Sequence, residues 1–191
     1  MSNTQIQTNE PIPSATIPTT ASSVDTAIRD YEAANAAWRS KQSAALAKTK
    51  PILFGALQAA GIARVTLTFE GSGDSGQIEW VQGYGTDDQI VDLSDATITY
   101  PAVSMDARYE PCAENPNGKQ FVGYDVNEVE KTEPISAVIE NIFWDFIGDR
   151  HGGWENDDGG FGECHFEVEH QIIRLEMNER YTETNYSEHE W

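Results

Sequence analysis

The sequence predicts an α+β protein in which an antiparallel, meander-like sheet is covered by an amphipathic helix. Apolar and polar residues alternate over several short stretches separated by Gly- and Asp-rich segments, a pattern typical of half-buried strands joined by turns. One later stretch, 133–148, instead has apolar residues at helical spacing. Because 39% of the 191 residues are hydrophobic, the chain can form a sizeable core.

Three regions are expected along the chain: a disordered tail over 1–23, a helical extension over 24–61 and an acidic α+β domain over 62–191. The tail is rich in Ser, Thr, Pro, Asn and Gln and has no aromatic residue. Such a composition buries too little apolar surface to offset the entropy of folding. The chain outside the tail is therefore expected to hold the fold.

The helical extension is predicted to contain two helices. Ala and other strong helix formers dominate 24–48, and Ser23 or Asp25 can serve as the N-cap. Pro51 then begins a second helix, which ends at Gly61. The apolar stripe of the first helix is thin, so the sequence leaves open whether this region is a docking arm or a core helix.

The acidic domain begins with a predicted hairpin. Apolar residues alternate with threonines over 65–69, a Gly- and Ser-rich turn follows at 71–76, and 77–84 is the returning strand. Two further short strands are predicted over 90–93 and 96–103. We therefore expect four strands before the chain reaches its longest polar segment.

Residues 106–132 contain two prolines and an Asn-Gly pair, which predict a long surface loop with at most a strand over 120–126. The helix at 133–148 has Pro134 in its first turn. A Gly-rich loop is then expected before a last hairpin over 161–168 and 171–177. The residues of that hairpin predicted to face inward are Cys164, Phe166, Val168, Ile173, Leu175 and Met177.

Charge is divided unevenly along the chain. Residues 1–68 carry a formal charge of +2, whereas residues 69–191 carry −22, which together give the net charge of −20. A surface this negative repels nucleic acid and membranes and attracts basic protein surfaces and cations. A small domain needs a net charge of only about 2 to 8 for solubility, so the excess favours a binding role.

Four carboxylates, those of Glu163, Glu167, Glu169 and Glu176, are predicted to share the outward face of the last hairpin. Their mutual repulsion would be relieved by a basic partner, and a dense acidic face can imitate the electrostatic outline of DNA. The alternative is an ordinary solvated sheet face, which is commonly charged.

The C-terminal segment places Tyr181, Tyr186 and Trp191 among glutamates. Aromatic anchors surrounded by carboxylates suit a basic partner, because Arg both pairs with carboxylates and stacks on aromatic rings. The alternative is that these rings fold back onto the sheet.

A rival site lies in the acidic, Gly-rich stretch over 149–163, where Asp157 and Asp158 could ligate a hard cation such as calcium. The spacing does not match an EF-hand, and the same residues suit a helix-to-strand connection in which Trp154 covers the core. No other cofactor is indicated, since the four His residues form no close metal pair. No nucleophile motif is present, and we nominate no catalytic residue.

Only Cys112 and Cys164 are available for a disulfide, and we expect both to be free thiols, with Cys164 buried in a strand. The sequence shows neither a secretory signal nor an apolar run of membrane-spanning length, so a soluble cytoplasmic protein without membrane partners is expected.

Three segments resemble an uncharacterised family of small acidic bacterial proteins associated with plasmids and mobile elements. They are the turn at 71–79, the Gly- and Asp-rich loop at 153–162 and the Asn-Glu-Arg-Tyr-Thr run at 178–182, and the resemblance covers roughly residues 63–191. The resemblance implies no known activity, but mobile elements favour an anti-defence inhibitor of a restriction or CRISPR complex.

The sequence therefore predicts an acidic inhibitor that occupies a basic nucleic-acid-binding surface of a protein partner, without binding nucleic acid itself. The alternatives are a cation-dependent module and an accessory subunit whose acidity serves solubility.

Overall fold

The computed structural model describes residues 21–93, 96–114 and 118–191. It confirms the predicted α+β class with antiparallel sheets. The predicted tail lies outside the described residues up to residue 20, and its last three residues belong to the first helix. The elements in chain order are α1 (Ala21–Ala59), β1 (Arg64–Tyr84), β2 (Ile90–Val91), β3 (Thr97–Pro111), β4 (Lys119–Pro134), α2 (Ile135–Arg150), β5 (Asn156–Glu167) and β6 (Ile172–Glu179).

The strands form a four-stranded sheet of order β2-β1-β5-β6 and a separate two-stranded ribbon, β3-β4. All pairs are antiparallel. The strand β5 lies beside β1 although the ribbon and α2 separate them in the chain. The four-stranded sheet therefore depends on pairing between strands that are distant in the chain.

The 21 residues of β1 fold back on themselves. A straight strand of that length would separate its ends by about 70 Å, yet the Ala63 amide donates a 2.7 Å hydrogen bond to the Tyr84 carbonyl. Gly73, near the middle, has a φ of +77°. The chain reverses there, as the predicted hairpin requires. The turn is shorter than predicted, because residues 71–76 belong to the strand instead of forming a wide turn.

The helix α2 covers one face of the four-stranded sheet, as predicted. Its buried residues recur at helical spacing, and Pro134 directly precedes its first turn. They pack against the inward residues of β1 and β5 in one core. The predicted inward face of β5 is confirmed by Cys164 and Phe166, which are fully buried, and the inward residues of β6 pack partly buried against the same core.

The helical extension is one helix, not two: α1 continues through Pro51. The ring removes one hydrogen bond, to the Ala47 carbonyl, but the last turns of α1 bury Leu53, Phe54 and Leu57 in the core, which offsets that loss. The two parts of α1 have different surroundings. Its C-terminal part belongs to the core, and its N-terminal part lies along the ribbon.

The long surface loop predicted over 106–132 is wrong. Residues 97–111 and 119–134 pair over their whole length, with one irregularity between Arg108 and Tyr109. The Cys112 amide donates to the Gly118 carbonyl and closes the turn. The end of β3 is exposed, whereas the facing part of β4 is partly buried. The helix α1 lies along the ribbon through contacts such as Lys41 Nζ to the Val126 carbonyl at 2.7 Å.

Two smaller boundaries also differ from the predictions. The strand predicted over 90–93 is only two residues long, and β5 begins at Asn156, within the predicted Gly-rich loop. The loop is shortened because Gly71–Asp74 of β1 pairs with the first residues of β5. Trp154 is buried against Phe69, with ring centroids 5.2 Å apart, so it covers the core as predicted.

Candidate partner-binding site

The outward face of the last hairpin holds three of the four predicted carboxylates on its strands. Glu163 stands directly opposite Glu176, and Glu167 stands opposite Ile172. Glu169 is not on the strand as predicted, because β5 ends at Glu167 and Glu169 lies exposed in the connecting turn. The four glutamates therefore extend from the middle of the hairpin to its connecting turn.

Basic side chains offset part of this negative charge. Arg174 Nη2 lies 3.0 Å from a Glu167 oxygen. His165, the most buried of this group, has its Nε2 at 3.3 Å from Glu163 and 4.0 Å from Glu176. Two like charges directly opposite each other destabilise a sheet, so the Glu163 and Glu176 pair favours any added positive charge.

The C-terminal segment is anchored to the sheet at its beginning. The Arg180 guanidinium lies 2.6 Å from Glu70 and 4.7 Å from the centroid of the Phe161 ring. Thr182 donates a 2.9 Å hydrogen bond to Asp158. These contacts fix the direction in which the segment leaves β6.

Beyond the anchor, the aromatic side chains stand in solvent. Tyr181 is 84% exposed and Tyr186 is 79% exposed, and the Trp191 side chain is also fully exposed. These rings do not fold back onto the sheet, so that alternative is wrong. Large exposed aromatic groups in an acidic segment have the composition of binding anchors.

The predicted cation ligands lie at the start of β5. Asp157 has a φ of +57°, and one Asp158 oxygen accepts the Thr182 hydrogen bond. Across the described residues, no three His, Cys, Asp or Glu side chains are grouped in a way that could hold a metal ion. The calcium site stays a prediction with no further support.

A cleft of about 210 Å³ opens where α1, the base of the ribbon and α2 meet. Two tryptophans stand on its two helical walls, Trp38 on α1 and Trp144 on α2. Gln42 of α1 donates a 2.6 Å hydrogen bond to Asp145 of α2, which bridges the two helices. The cleft is therefore lined by aromatic rings and a half-buried carboxylate.

A second polar group lies beside the cleft. The Tyr100 hydroxyl donates a 2.5 Å hydrogen bond to Glu133, which also accepts one from Asn141 at 3.1 Å. Burial, together with the hydrogen bond to the Glu133 carboxylate and its charge, raises the pKa of Tyr100 to about 12. The Tyr100 hydroxyl is thus a donor over the whole neutral range.

The sequence does not predict this cleft. Trp38 lies on the thin apolar stripe of α1, and Trp144 is on the half-exposed side of α2. The walls of the cleft come from three regions that are distant in the chain, so no local sequence pattern shows that these residues lie together. The only usable signal was the presence of tryptophans at exposed helix positions.

Alkaline pH is expected to destabilise this fold. Burial raises the pKa of the Cys164 thiol to about 12, as it does for Tyr100. Both groups ionise in the unfolded chain at about pH 8.5 to 10, so unfolding releases protons above that pH and stability falls as pH rises towards 12. Below about pH 8 both groups are protonated in the folded and in the unfolded chain, so neither makes the free energy of unfolding depend on pH.

Thermal melting between pH 8 and pH 11 checks this expectation. Tyr100→Phe should reduce the stability lost between these values by about 1 kcal/mol, because it removes one of the two proton releases. Tyr109→Phe, at an exposed site, is the matched control and should leave the pH profile unchanged. A melting temperature constant from pH 8 to pH 11 would contradict the expectation.

The fold and these surfaces define a small acidic α+β protein with two antiparallel sheets and candidate sites for recognition. Neither helix in the described part of the chain combines the length and hydrophobicity needed to cross a membrane. The chain belongs to a family of unknown function (DUF6878), whose model matches residues 45–117 and 117–191. This match begins earlier than residue 63, at Ala45, which is buried in α1.

No curated protein and no solved structure matched the chain. The family therefore supports the resemblance seen in the sequence without assigning an activity.

Proposed function

We propose that this protein is an acidic inhibitor that binds a basic surface on a nucleic-acid-handling protein and so blocks nucleic acid from that surface. The binding site consists of the outward face of the last hairpin and the C-terminal segment that continues from it. We define this site by its four glutamates and three aromatic residues: Glu163, Glu167, Glu169, Glu176, Tyr181, Tyr186 and Trp191.

The observation that carries the proposal is the exposure of the three aromatic rings beside the acidic hairpin. Exposed rings of this size are unfavourable in water unless a partner covers them. Arg is the side chain that suits both features, because its guanidinium pairs with carboxylates and stacks on rings. The protein itself contains such a contact, in which Arg180 lies between Glu70 and Phe161.

Charge density supports a partner that ordinarily binds nucleic acid. Neighbouring strands lie about 4.8 Å apart, so Glu163 and its cross-strand partner Glu176 lie within a Debye length of each other. Glu167 follows about 13 Å further along the same strand. A basic surface that binds the phosphates of nucleic acid can also bind a fixed array of carboxylates. The acidic protein and the nucleic acid would then compete for the same positive side chains.

The resemblance to proteins of plasmids and mobile elements extends the proposal to the partner. Mobile elements benefit from inhibitors of restriction and CRISPR complexes, which hold nucleic acid in basic channels. We propose an anti-defence role of this kind, acting in the cytoplasm. This step is an analogy with the family and rests on no contact in the structure.

Neutralising the hairpin face tests the proposal. A variant with Gln at Glu163, Glu167, Glu169 and Glu176 should capture its partner from nuclease-treated bacterial lysate at least about tenfold less well than the natural chain. Capture by the natural chain should fall steeply between low and high salt. In mobility-shift measurements on the captured complex, the natural chain should displace nucleic acid, whereas the variant with four Gln residues should not.

The matched control carries the same four charge changes on the ribbon or in its connecting turn. Its residues are Glu110, Glu114, Glu128 and Glu130, each changed to Gln. This control has the same net charge as the test variant and should bind like the natural chain. Equal capture by both variants, or unchanged nucleic-acid binding by the captured complex, would overturn the proposal.

A further inference from the structure

We infer that the cleft between α1, the ribbon and α2 is a pocket for one guanidinium group, and that its natural occupant is an arginine side chain of the partner. This inference rests on the proposed function for the partner's basic character. The cleft itself is separate from the acidic hairpin, and its walls are formed by α1, β3, β4 and α2.

The size of the cleft restricts its occupant. Pockets for drug-sized molecules usually measure about 300 to 1,000 Å³, whereas this cleft measures about 210 Å³. A single long side chain or a similar fragment fits such a volume.

The walls indicate a planar cation. Trp38 and Trp144 present indole rings from two helices, and a guanidinium stacks on such rings more favourably than an ammonium does. Asp145 supplies a carboxylate that is only half-buried and that engages Gln42 through one oxygen. A guanidinium can therefore pair with this carboxylate while its flat face lies on an indole ring.

One residue of the lining opposes a cation. Lys131 carries a positive charge at the cleft, directly opposite Tyr100 in the ribbon. Its side chain is exposed, whereas Asp145 is half-buried, so solvent screens the ammonium more than the Asp145 carboxylate. The half-buried Asp145 carboxylate is therefore the stronger influence on a bound cation, and removal of Lys131 should strengthen binding.

The probe for this pocket is N-acetyl-arginine N-methylamide, with the corresponding citrulline compound as its neutral isostere. The indole N–H signals of Trp38 and Trp144 should shift and saturate with the arginine compound, with a Kd of about 1 mM. The citrulline compound should produce no saturable shift. Asp145→Asn should weaken arginine binding at least about tenfold, and Lys131→Gln should strengthen it about threefold.

Asp149→Asn is the matched control, because it makes the same change on the same helix outside the cleft, and it should leave binding unchanged. If Asp145→Asn fails to fold, Trp144→Leu must show the same loss through the Trp38 signal. Equal binding of citrulline, unchanged binding by Asp145→Asn, or the absence of saturable shifts would each overturn the inference. A failed lysate capture with arginine binding intact would overturn the proposed inhibitor role alone.

Discussion

Replacing Phe69 with alanine is expected to lower the free energy of unfolding by about 3 to 5 kcal/mol. The ring is fully buried in β1, and its centroid lies 4.9 Å from that of Phe143 on α2 and 5.2 Å from that of Trp154. Its removal would leave a cavity between the sheet, the helix and the residue that covers the core. Urea denaturation followed by tryptophan fluorescence and far-UV circular dichroism measures the loss.

Phe161→Ala is the matched control, since it makes the same change on the outward face of the same sheet. Phe161 is 42% exposed, and its main described contact is the stacked Arg180. The expected cost is about 1 kcal/mol. Equal losses for the two variants would show that the core does not lie between β1, α2 and Trp154.

Gly159→Ala is expected to prevent folding or to cost more than about 4 kcal/mol. A Cβ at this position would lie 1.9 Å from the Gly71 carbonyl oxygen, and Gly159 also has a φ of +70°. The clash cannot be relieved by moving a side chain, because the blocking atoms belong to the backbone of β1. The positive φ adds backbone strain for any residue with a Cβ. The two strands would have to separate beside the register shift between Gly71 and Gly73.

Gly61→Ala separates the two causes. Gly61 has a φ of +75°, but no atom lies within 4 Å of the position of its Cβ. Gly61→Ala should therefore lower the free energy of unfolding by about 1 to 2 kcal/mol, the cost of the left-handed backbone alone. Circular dichroism and thermal melting of both variants should show a much larger effect at Gly159, and similar effects would contradict the close backbone approach.

The predictions that succeeded rest on local apolar spacing. The sequence predicted α2 to within two residues at each end, since its buried residues all lie on one face of a helix. The inward residues of β5 were likewise visible as an alternation that ends in Cys164 and Phe166. In both elements the buried face is formed by residues that are close together in the sequence and regularly spaced.

The predictions that failed depend on partners far away in the chain. The distal ribbon has few fully buried side chains, and its aromatic rings contact one another and α1 across distant parts of the chain, so no regular apolar alternation marks its strands. Pro51 was interpreted as a helix start because the local rule takes no account of the core around Leu53. The cleft is invisible for the same reason, since its walls meet only in the folded chain.

The mixed character of α1 gives its two halves unequal local stability. The C-terminal half buries Leu53, Phe54 and Leu57 in the core, whereas the N-terminal half is held by few contacts, such as the Tyr31 and Tyr124 ring pair. Local opening therefore begins at the N-terminal end of the helix and requires far less free energy than global unfolding. Because Trp38 belongs to that half, we expect one wall of the cleft to open at a lower free-energy cost than the core.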